Sequence, residues 1–238
     1  SAFVIATLFT LWNPANLFSN QMMEQAFRAW QSSAVGTPVP IYPTITAEPF
    51  LSIGIVAGHY SADKDNYDPG AVCEDGLTEE NVNFKIAYYV YQKLSALGYQ
   101  VDLLQEFDPR LSGYRGQLLV SIHNDSCEYM GEDATGFKVA SAVRNAYPEE
   151  AERLTNCLID RYGKETGMDF HFNTITADMT DYHTFNERNS NTPAAIIETG
   201  FLNLDRTFLL DQTDKVAQGI VNGILCYMNN EKVSSSDQ

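Results

Sequence analysis

The chain of 238 residues contains few basic residues, with 15 Lys and Arg against 31 Asp and Glu and a formal net charge of −16. Nucleic-acid binding depends on clustered Lys and Arg, and attraction to anionic lipid depends on the same side chains. This composition therefore argues against a nucleic-acid partner and against adhesion to a membrane by charge. The acidic excess is typical of a solvated surface.

Cysteine and histidine are also scarce, with four of each. The cysteines form no Cys-x-x-Cys pair, which argues against a thiolate zinc cluster. Cys73 and Cys127 lie just beyond the candidate metal-site segments discussed below, and we hypothesise a disulfide between them. Cys157 and Cys226 fall in predicted helices, and we interpret them as small buried apolar residues.

The apolar run from Ala2 to Trp12 is shorter than the roughly 20 apolar residues that span a bilayer, and it lacks the basic flank of a signal peptide. Two interpretations compete. The favoured one is the trailing end of a membrane helix with Trp12 at the interface, and the other is a helix packed on its own domain or on a partner. We therefore predict that residues 1–18 are the remnant of a membrane anchor and provide a candidate membrane tether.

Residues 19–49 are predicted to form a short helix followed by a semi-rigid spacer. The helix has Met22, Met23, Phe27 and Trp30 as its apolar positions, and the spacer holds four prolines. Proline removes hydrogen-bond donors and favours extended geometry. Residues 50–230 follow as the predicted catalytic domain, and residues 231–238 as a disordered tail. This order suits an enzyme that is held near a membrane and works outside it.

Strand and helix patterns alternate within the predicted catalytic domain. The predicted strands are 50–57, 101–104, 118–122, 136–143 and 194–197, and the predicted helices run from Glu79 to Gly98, over 148–163 and over 214–228. This alternation predicts an α/β fold: a single domain with a twisted, largely parallel central sheet flanked by helices.

Four separated residues lie where a predicted strand ends or a predicted helix begins. His59, His123 and Glu198 each follow an apolar strand, and Glu79 opens a helix. Ligands of open α/β sheets gather at the carboxyl ends of the strands. Two imidazoles and a carboxylate are the ligands of a catalytic zinc that keeps one position for water, and a further carboxylate can move protons. The pattern therefore predicts a zinc hydrolase.

Each of these residues also has a structural explanation. The two histidines could be satisfied by local hydrogen bonds, and Glu79 could stabilise its helix through the dipole, with Thr78 as the cap. Glu80 is equally acidic, and position alone does not choose between the two. Glu198 is harder to explain in this way, because a buried carboxylate is costly unless it is paired or near a metal.

The motifs around these residues resemble those of the zinc-dependent N-acetylmuramoyl-L-alanine amidases, of the amidase_3 type, over about residues 52–228. The matching motifs are Gly58-His59, Asp68-Pro69-Gly70-Ala71, Glu79 with Asn83, Ser121-Ile122-His123-Asn124, and Ile197-Glu198-Thr199-Gly200-Phe201-Leu202. The resemblance implies that His59, Glu79 and His123 bind one zinc ion and that Glu198 is catalytic. It thereby favours Glu79 over Glu80.

The resemblance also implies a reaction, a substrate and a location. The reaction is hydrolysis of the amide between N-acetylmuramic acid and the L-alanine of the peptide stem. The substrate would then be peptidoglycan or a muropeptide, and the enzyme would work outside the cytoplasm in the cell envelope. Three departures from the family pattern leave substrate preference open. Tyr60 stands where Gly is common, Asp125-Ser126-Cys127 stands where small residues are usual, and the linker over 108–116 is short.

Five residues are predicted as weaker candidates for substrate contact: Tyr60, Asn124, His183, Arg115 and Arg188. His183 lies in a polar segment before the last motif, where a surface histidine is the alternative. The two arginines suit bidentate contact with a stem-peptide carboxylate, with ordinary surface ion pairs as the alternative.

Two other functions compete with the amidase. A zinc peptidase acting on stem-peptide bonds would use the same metal chemistry. A non-catalytic protein that binds or regulates the cell wall would keep the fold without turnover, although all four required residues are present.

Overall fold

The computed structural model describes residues 52–62 and 68–233. The predictions of an anchor, a short helix and a spacer over residues 1–49 lie outside these residues, as does most of the predicted tail. Among the described residues, no helix has the length and apolar character needed to cross a membrane.

A five-stranded sheet forms the centre of the domain. Its strands are β1 (Ile53–Ala57), β2 (Val101–Gln105), β3 (Leu118–Asp125), β4 (Lys138–Ser141) and β5 (Ala194–Phe201). They are arranged in the order β2-β1-β3-β5-β4, and all neighbours are parallel except the edge pair β4 and β5. The predicted α/β class and largely parallel sheet are therefore confirmed. β2 pairs with one side of β1, and β3 pairs with the other side, so the strand order reverses direction at β1. Open α/β sheets bind their ligands at such a switch point.

Three long helices cover one face of the sheet: α1 (Glu79–Ala96), α2 (Pro148–Thr166) and α6 (Thr213–Met228). The apolar residues of α1 recur at helical spacing and are buried with alternate residues of the strands. Short elements cover the other face: a 3-10 turn (Pro109–Leu111), α3 (Ala177–Thr180) and α4 (His183–Glu187). The helix α5 (Arg206–Asp211) connects β5 to α6.

Two strands extend further than the apolar pattern predicts. β3 continues to Asp125 and β5 to Phe201, so His123 and Glu198 lie inside strands and not after them. The pairing of these two strands shifts register between His123 and Asp125. Polar residues interrupt both apolar runs, but the backbone pairing continues because the neighbouring strand still supplies hydrogen-bond partners.

Two disulfides cross-link the domain. The hypothesis of a bond between Cys73 and Cys127 is confirmed, with a Cα–Cα distance of 5.3 Å. The interpretation of Cys157 and Cys226 as unbonded apolar residues is wrong, because they form a second disulfide with a Cα–Cα distance of 5.7 Å. Both are fully buried, and they face each other because α2 and α6 pack side by side.

Candidate metal centre

The three predicted metal ligands come together at the carboxyl ends of β1 and β3. The Nε2 atom of His59 lies 3.4 Å from Oε2 of Glu79, and the Nδ1 atom of His123 lies 3.3 Å from Oε1 of the same carboxylate. Glu79 and His123 are buried, whereas His59 is partly exposed. One carboxylate therefore bridges two imidazoles in a pocket that keeps an opening to solvent.

Glu79 owes its position to the start of α1. Thr78 caps the helix by accepting from the Asn81 N–H at 3.4 Å, so the Glu79 side chain projects from the first turn. Burial raises the pKa of Glu79, but a hydrogen bond from His123 and the charges of both histidines outweigh it and lower the pKa to about 2. The side chain is therefore a carboxylate at neutral pH. Glu80, next to it, belongs to no metal-binding group among the described residues.

Two glycines allow the loops to approach the ligands closely. A Cβ atom at Gly58 would lie 2.3 Å from the ring of His123. A Cβ atom at Gly70 would lie 2.4 Å from Oε2 of Glu79, and Gly70 also has a left-handed φ of +67°. Both positions therefore require glycine for the ligands to occupy their places.

A buried network of side-chain amides holds the carboxylate of Glu79 in place. The Asn83 side chain donates to Oε1 of Glu79 at 3.0 Å and to the Gly58 carbonyl at 2.9 Å. The Asn124 side chain donates to Asn83 at 2.7 Å and accepts from the Thr199 hydroxyl at 2.5 Å. Asn124 was predicted to contact substrate, but its side chain is buried and bonded within the protein. We therefore assign it to the support of Glu79.

Glu198 lies within β5 and pairs in register with His123 of the neighbouring strand β3. In register, His123 on β3, Glu198 on β5 and Lys138 on β4 form a row across three strands and project from one face. Lys138 is buried and forms an ion pair with Asp125. The Oε2 atom of Glu198 is buried without a hydrogen-bond partner among the described residues, and burial raises the pKa of Glu198 to about 8. A carboxyl group with such a pKa can both accept and release a proton near neutral pH.

Glu106 was not among the predicted site residues, although it directly follows β2 at the same edge of the sheet. It is 4% exposed and accepts from the main-chain N–H of His59 at 2.9 Å. It also contacts His183, which was predicted to contact substrate, with an Oε1–Nε2 distance of 2.6 Å. Burial raises the pKa of Glu106, but the hydrogen bond from His183 and the charge of His123 outweigh it and lower the pKa to about 2. Its position after a strand was the signal that sequence reasoning overlooked.

The remaining predicted substrate residues lie in different places. Tyr60 stacks on Phe84 of α1 with ring centroids 4.2 Å apart. Arg188 is 5% exposed and donates to the main-chain carbonyls of Phe185 and Arg144, so the protein itself engages its guanidinium. Arg115 is exposed, but it precedes the start of β3, whereas His123 lies near the other end of this strand. The positions of the two arginines argue against the predicted contact with a stem-peptide carboxylate.

The three ligand residues offer donor atoms close enough together to hold one metal ion. Their ligand atoms all lie within 4.8 Å of one another. A tetrahedral zinc with bonds near 2.0–2.1 Å separates its ligand atoms by roughly 3.4 Å, and the two carboxylate–imidazole distances above, each to a different oxygen of Glu79, are close to that value. Burial lowers the pKa of His123, but the hydrogen bond to Glu79 and the negative charges of Glu106 and Glu198 outweigh it and raise the pKa to about 9. The surroundings of this imidazole thus favour positive charge, which a divalent cation would supply.

Replacing both Cys73 and Cys127 by Ser is expected to destabilise the domain and weaken metal binding. The free energy of unfolding should fall by about 2–4 kcal/mol, because the disulfide closes a long loop. Cys73 lies in the loop in which the Ala71 N–H donates to Oε2 of Glu79 at 3.1 Å, so loosening this loop should also lower zinc affinity. Chemical unfolding and zinc titration provide the measurements.

The matched control is the double Ser variant of Cys157 and Cys226. This disulfide joins α2 to α6, so its loss should lower stability and leave the zinc affinity of the folded protein unchanged. An equal loss of zinc affinity in both double variants would contradict a specific role for the bond between Cys73 and Cys127.

Comparison with known proteins relates this fold and site to one family. A family model described as N-acetylmuramoyl-L-alanine amidase matches residues 53–226. Comparison with curated protein sequences gave no match.

Solved structures of amidases share the fold. The CwlD amidase from Clostridioides difficile, solved in complex with the GerS lipoprotein, is 20% identical with a TM-score of 0.59, covering 76% of this chain and 100% of that one. The amidase Ami1 from Mycobacterium smegmatis is 18% identical with a TM-score of 0.62, covering 76% and 98%. The amidase AmiC2 of Nostoc punctiforme is 22% identical with a TM-score of 0.55, covering 75% and 97%. At these identities the likeness shows the fold.

Proposed function

Since the chain belongs to the N-acetylmuramoyl-L-alanine amidase family and is a peptidoglycan amidase, we propose that its activity depends on one zinc ion bound by His59, Glu79 and His123. The amide bond that it hydrolyses joins N-acetylmuramic acid to L-alanine in peptidoglycan. The observation that carries the zinc proposal is the placement of one buried carboxylate against two imidazole nitrogens. Beside them lies Glu198, whose Oε2 atom is buried without a hydrogen-bond partner among the described residues.

We assign the transfer of protons to Glu198. A zinc ion held by three such ligands supplies Lewis acidity, which lowers the pKa of water and polarises a carbonyl. As the attacking water adds to the scissile carbonyl carbon, Glu198 accepts a proton from it. As the C–N bond breaks, Glu198 delivers that proton to the leaving amine of L-alanine.

A digest of purified peptidoglycan tests the bond and the metal together. The full chain is incubated with and without chelator, and the products are analysed by mass spectrometry. We expect intact stem peptides with a free L-alanine amine, and loss of at least 90% of this release when the chelator removes zinc, with recovery on adding zinc back.

The other outcomes of the digest separate the competing functions. Shortened stems that remain attached to glycan would indicate the zinc peptidase. Binding of zinc-loaded, folded protein to peptidoglycan without any release would indicate the non-catalytic wall-binding protein. Release of stem peptides that continues after a chelator has removed all metal would contradict the zinc proposal. It would still agree with the amidase activity.

We further propose that the domain over residues 50–230 works outside the cytoplasm in the cell envelope. The two disulfides support this location, because such bonds persist in oxidising compartments. The tether over residues 1–18 and the spacer over 19–49 belong to the same proposal. Fractionation of cells that express the chain tests the location. A comparison with a chain that lacks residues 1–49 tests the tether.

A further inference from the structure

Glu106 contacts the metal centre without belonging to its ligand set. This buried carboxylate stands at the end of β2, the strand next to β1. Its Oε2 atom accepts from the His59 N–H at 2.9 Å and lies 3.8 Å from Nε2 of His123. Its Oε1 atom lies 2.6 Å from Nε2 of His183. Glu106 thus contacts the main chain of one proposed ligand, His59, and the ring of the other, His123, at the nitrogen that does not face Glu79.

The two ring nitrogens of His123 have different surroundings. Nδ1 faces Glu79, whereas Nε2 lies 3.2 Å from the hydroxyl of Tyr182. Oε2 of Glu106 lies 3.8 Å from the same Nε2 atom. Both oxygen atoms favour a proton on Nε2, and the His123 Nε2–H donates to the Tyr182 oxygen. A metal that replaces the proton at Nδ1 would therefore leave the ring with its proton on Nε2.

The contact with His59 acts on its main chain. His59 has a φ of 59°, in the left-handed region that side chains other than glycine adopt at a cost. The hydrogen bond from its N–H to Glu106 holds this conformation in place. The turn that it stabilises ends β1 and sets the direction in which the imidazole leaves the strand.

We propose that Glu106 is a positioning residue of the metal centre: it fixes the His59 main chain through a hydrogen bond and, together with the Tyr182 hydroxyl, holds the proton of the His123 ring on Nε2. His183 then acts as a further partner that holds Glu106, and not as a contact for substrate. The inference rests on the proposed zinc-dependent function, and it assigns Glu106 no contact with substrate or with the metal.

Zinc affinity of the full chain tests this role without reference to turnover. Metal-free protein is titrated with zinc against a chromogenic chelator. Glu106→Gln keeps the shape of the side chain but loses one acceptor oxygen and the charge, and we expect its zinc dissociation constant to rise roughly 10–100-fold, as for partners of other zinc-binding histidines. Tyr182→Phe should weaken binding toward the lower end of that range.

The matched control is Glu187→Gln, which makes the same chemical change at the other partner of His183. Glu187 lies 3.0 Å from Nδ1 of His183, and both side chains are more than one third exposed. Exposed pairs contribute little, so the dissociation constant should change by less than about threefold.

Long-range ¹H–¹⁵N spectra of the imidazoles provide a readout that loss of stability alone would not change. In zinc-loaded wild-type protein the His123 ring should carry its proton on Nε2, and in Tyr182→Phe the signal of this Nε2–H should shift because its acceptor is lost. Zinc binding by folded Glu106→Gln as tight as by wild type would overturn the inference. If Glu106→Gln does not fold, wild-type zinc affinity together with an unchanged His123 Nε2–H signal in Tyr182→Phe would overturn it. Wild-type protein that binds no zinc would instead overturn the proposed function on which the inference rests.

Discussion

Glu198→Gln is expected to lose nearly all turnover while retaining zinc. The amide cannot accept the proton of the attacking water, so the digestion rate should fall about 10²–10⁴-fold, the usual contribution of a general acid–base. His59, Glu79 and His123 remain in place, so zinc per chain should equal that of wild type. Elemental analysis of the purified variant, together with the rate of stem-peptide release, measures both quantities on the same sample.

Glu132→Gln is the control for this substitution, because Glu132 is exposed and lies outside the described site. It should digest peptidoglycan at the wild-type rate. A Glu198→Gln variant with more than about one tenth of wild-type activity would remove the proton-transfer role assigned to Glu198. A variant that lost both zinc and activity would show instead that Glu198 supports metal binding.

His123→Ala is expected to lose the metal itself, and with it the activity. Removing a ligand should weaken zinc binding more than the roughly 100-fold that loss of a supporting partner can cost. The carboxylate of Glu79 would also lose the imidazole that lies 3.3 Å from it. Zinc titration and peptidoglycan digestion should therefore fail together, in contrast to Glu198→Gln.

His171→Ala supplies the comparison for loss of an imidazole elsewhere in the domain. His171 is partly exposed, and its Nδ1 atom lies 3.3 Å from the Thr174 hydroxyl. Both its zinc affinity and its digestion rate should match wild type. Near-normal zinc affinity in folded His123→Ala would disprove the proposed ligand set, and the same result for His59→Ala would disprove that ligand individually.

The sequence predicted the site through one rule, that polar residues after apolar strands meet at the carboxyl edge of a parallel sheet. The rule found His59, His123 and Glu198, although the last two lie inside strands that continue past them. The same rule applied to β2 would have found Glu106. It was overlooked because the polar linker that follows gives no sign that this carboxylate is buried. The choice of Glu79 over Glu80 needed the family resemblance.

The sequence does not show how distant segments pack against one another. The remaining wrong predictions, for two cysteines and for two substrate contacts, have this cause. Cys157 and Cys226 are separated by 69 positions, and only the packing of α2 against α6 brings them together. Asn124 follows His123 in the chain, but its amide belongs to a buried hydrogen-bond network that a linear pattern cannot show. Arg115 is only eight positions before His123 in the chain. The two residues are nevertheless far apart, because Arg115 precedes the start of β3 and His123 lies near the end of that extended strand.

The position of β5 between β3 and β4 has a consequence for the order in which the domain assembles. The three proposed zinc ligands precede β5 in the chain, and among the strands of the described residues β4 pairs only with β5. A nascent or partly folded chain would therefore possess the ligands without Glu198, and its edge strand would have no neighbour. Insertion of β5 completes the sheet and brings Glu198 beside His123 in the same event. Completion of the sheet therefore coincides with completion of the candidate site.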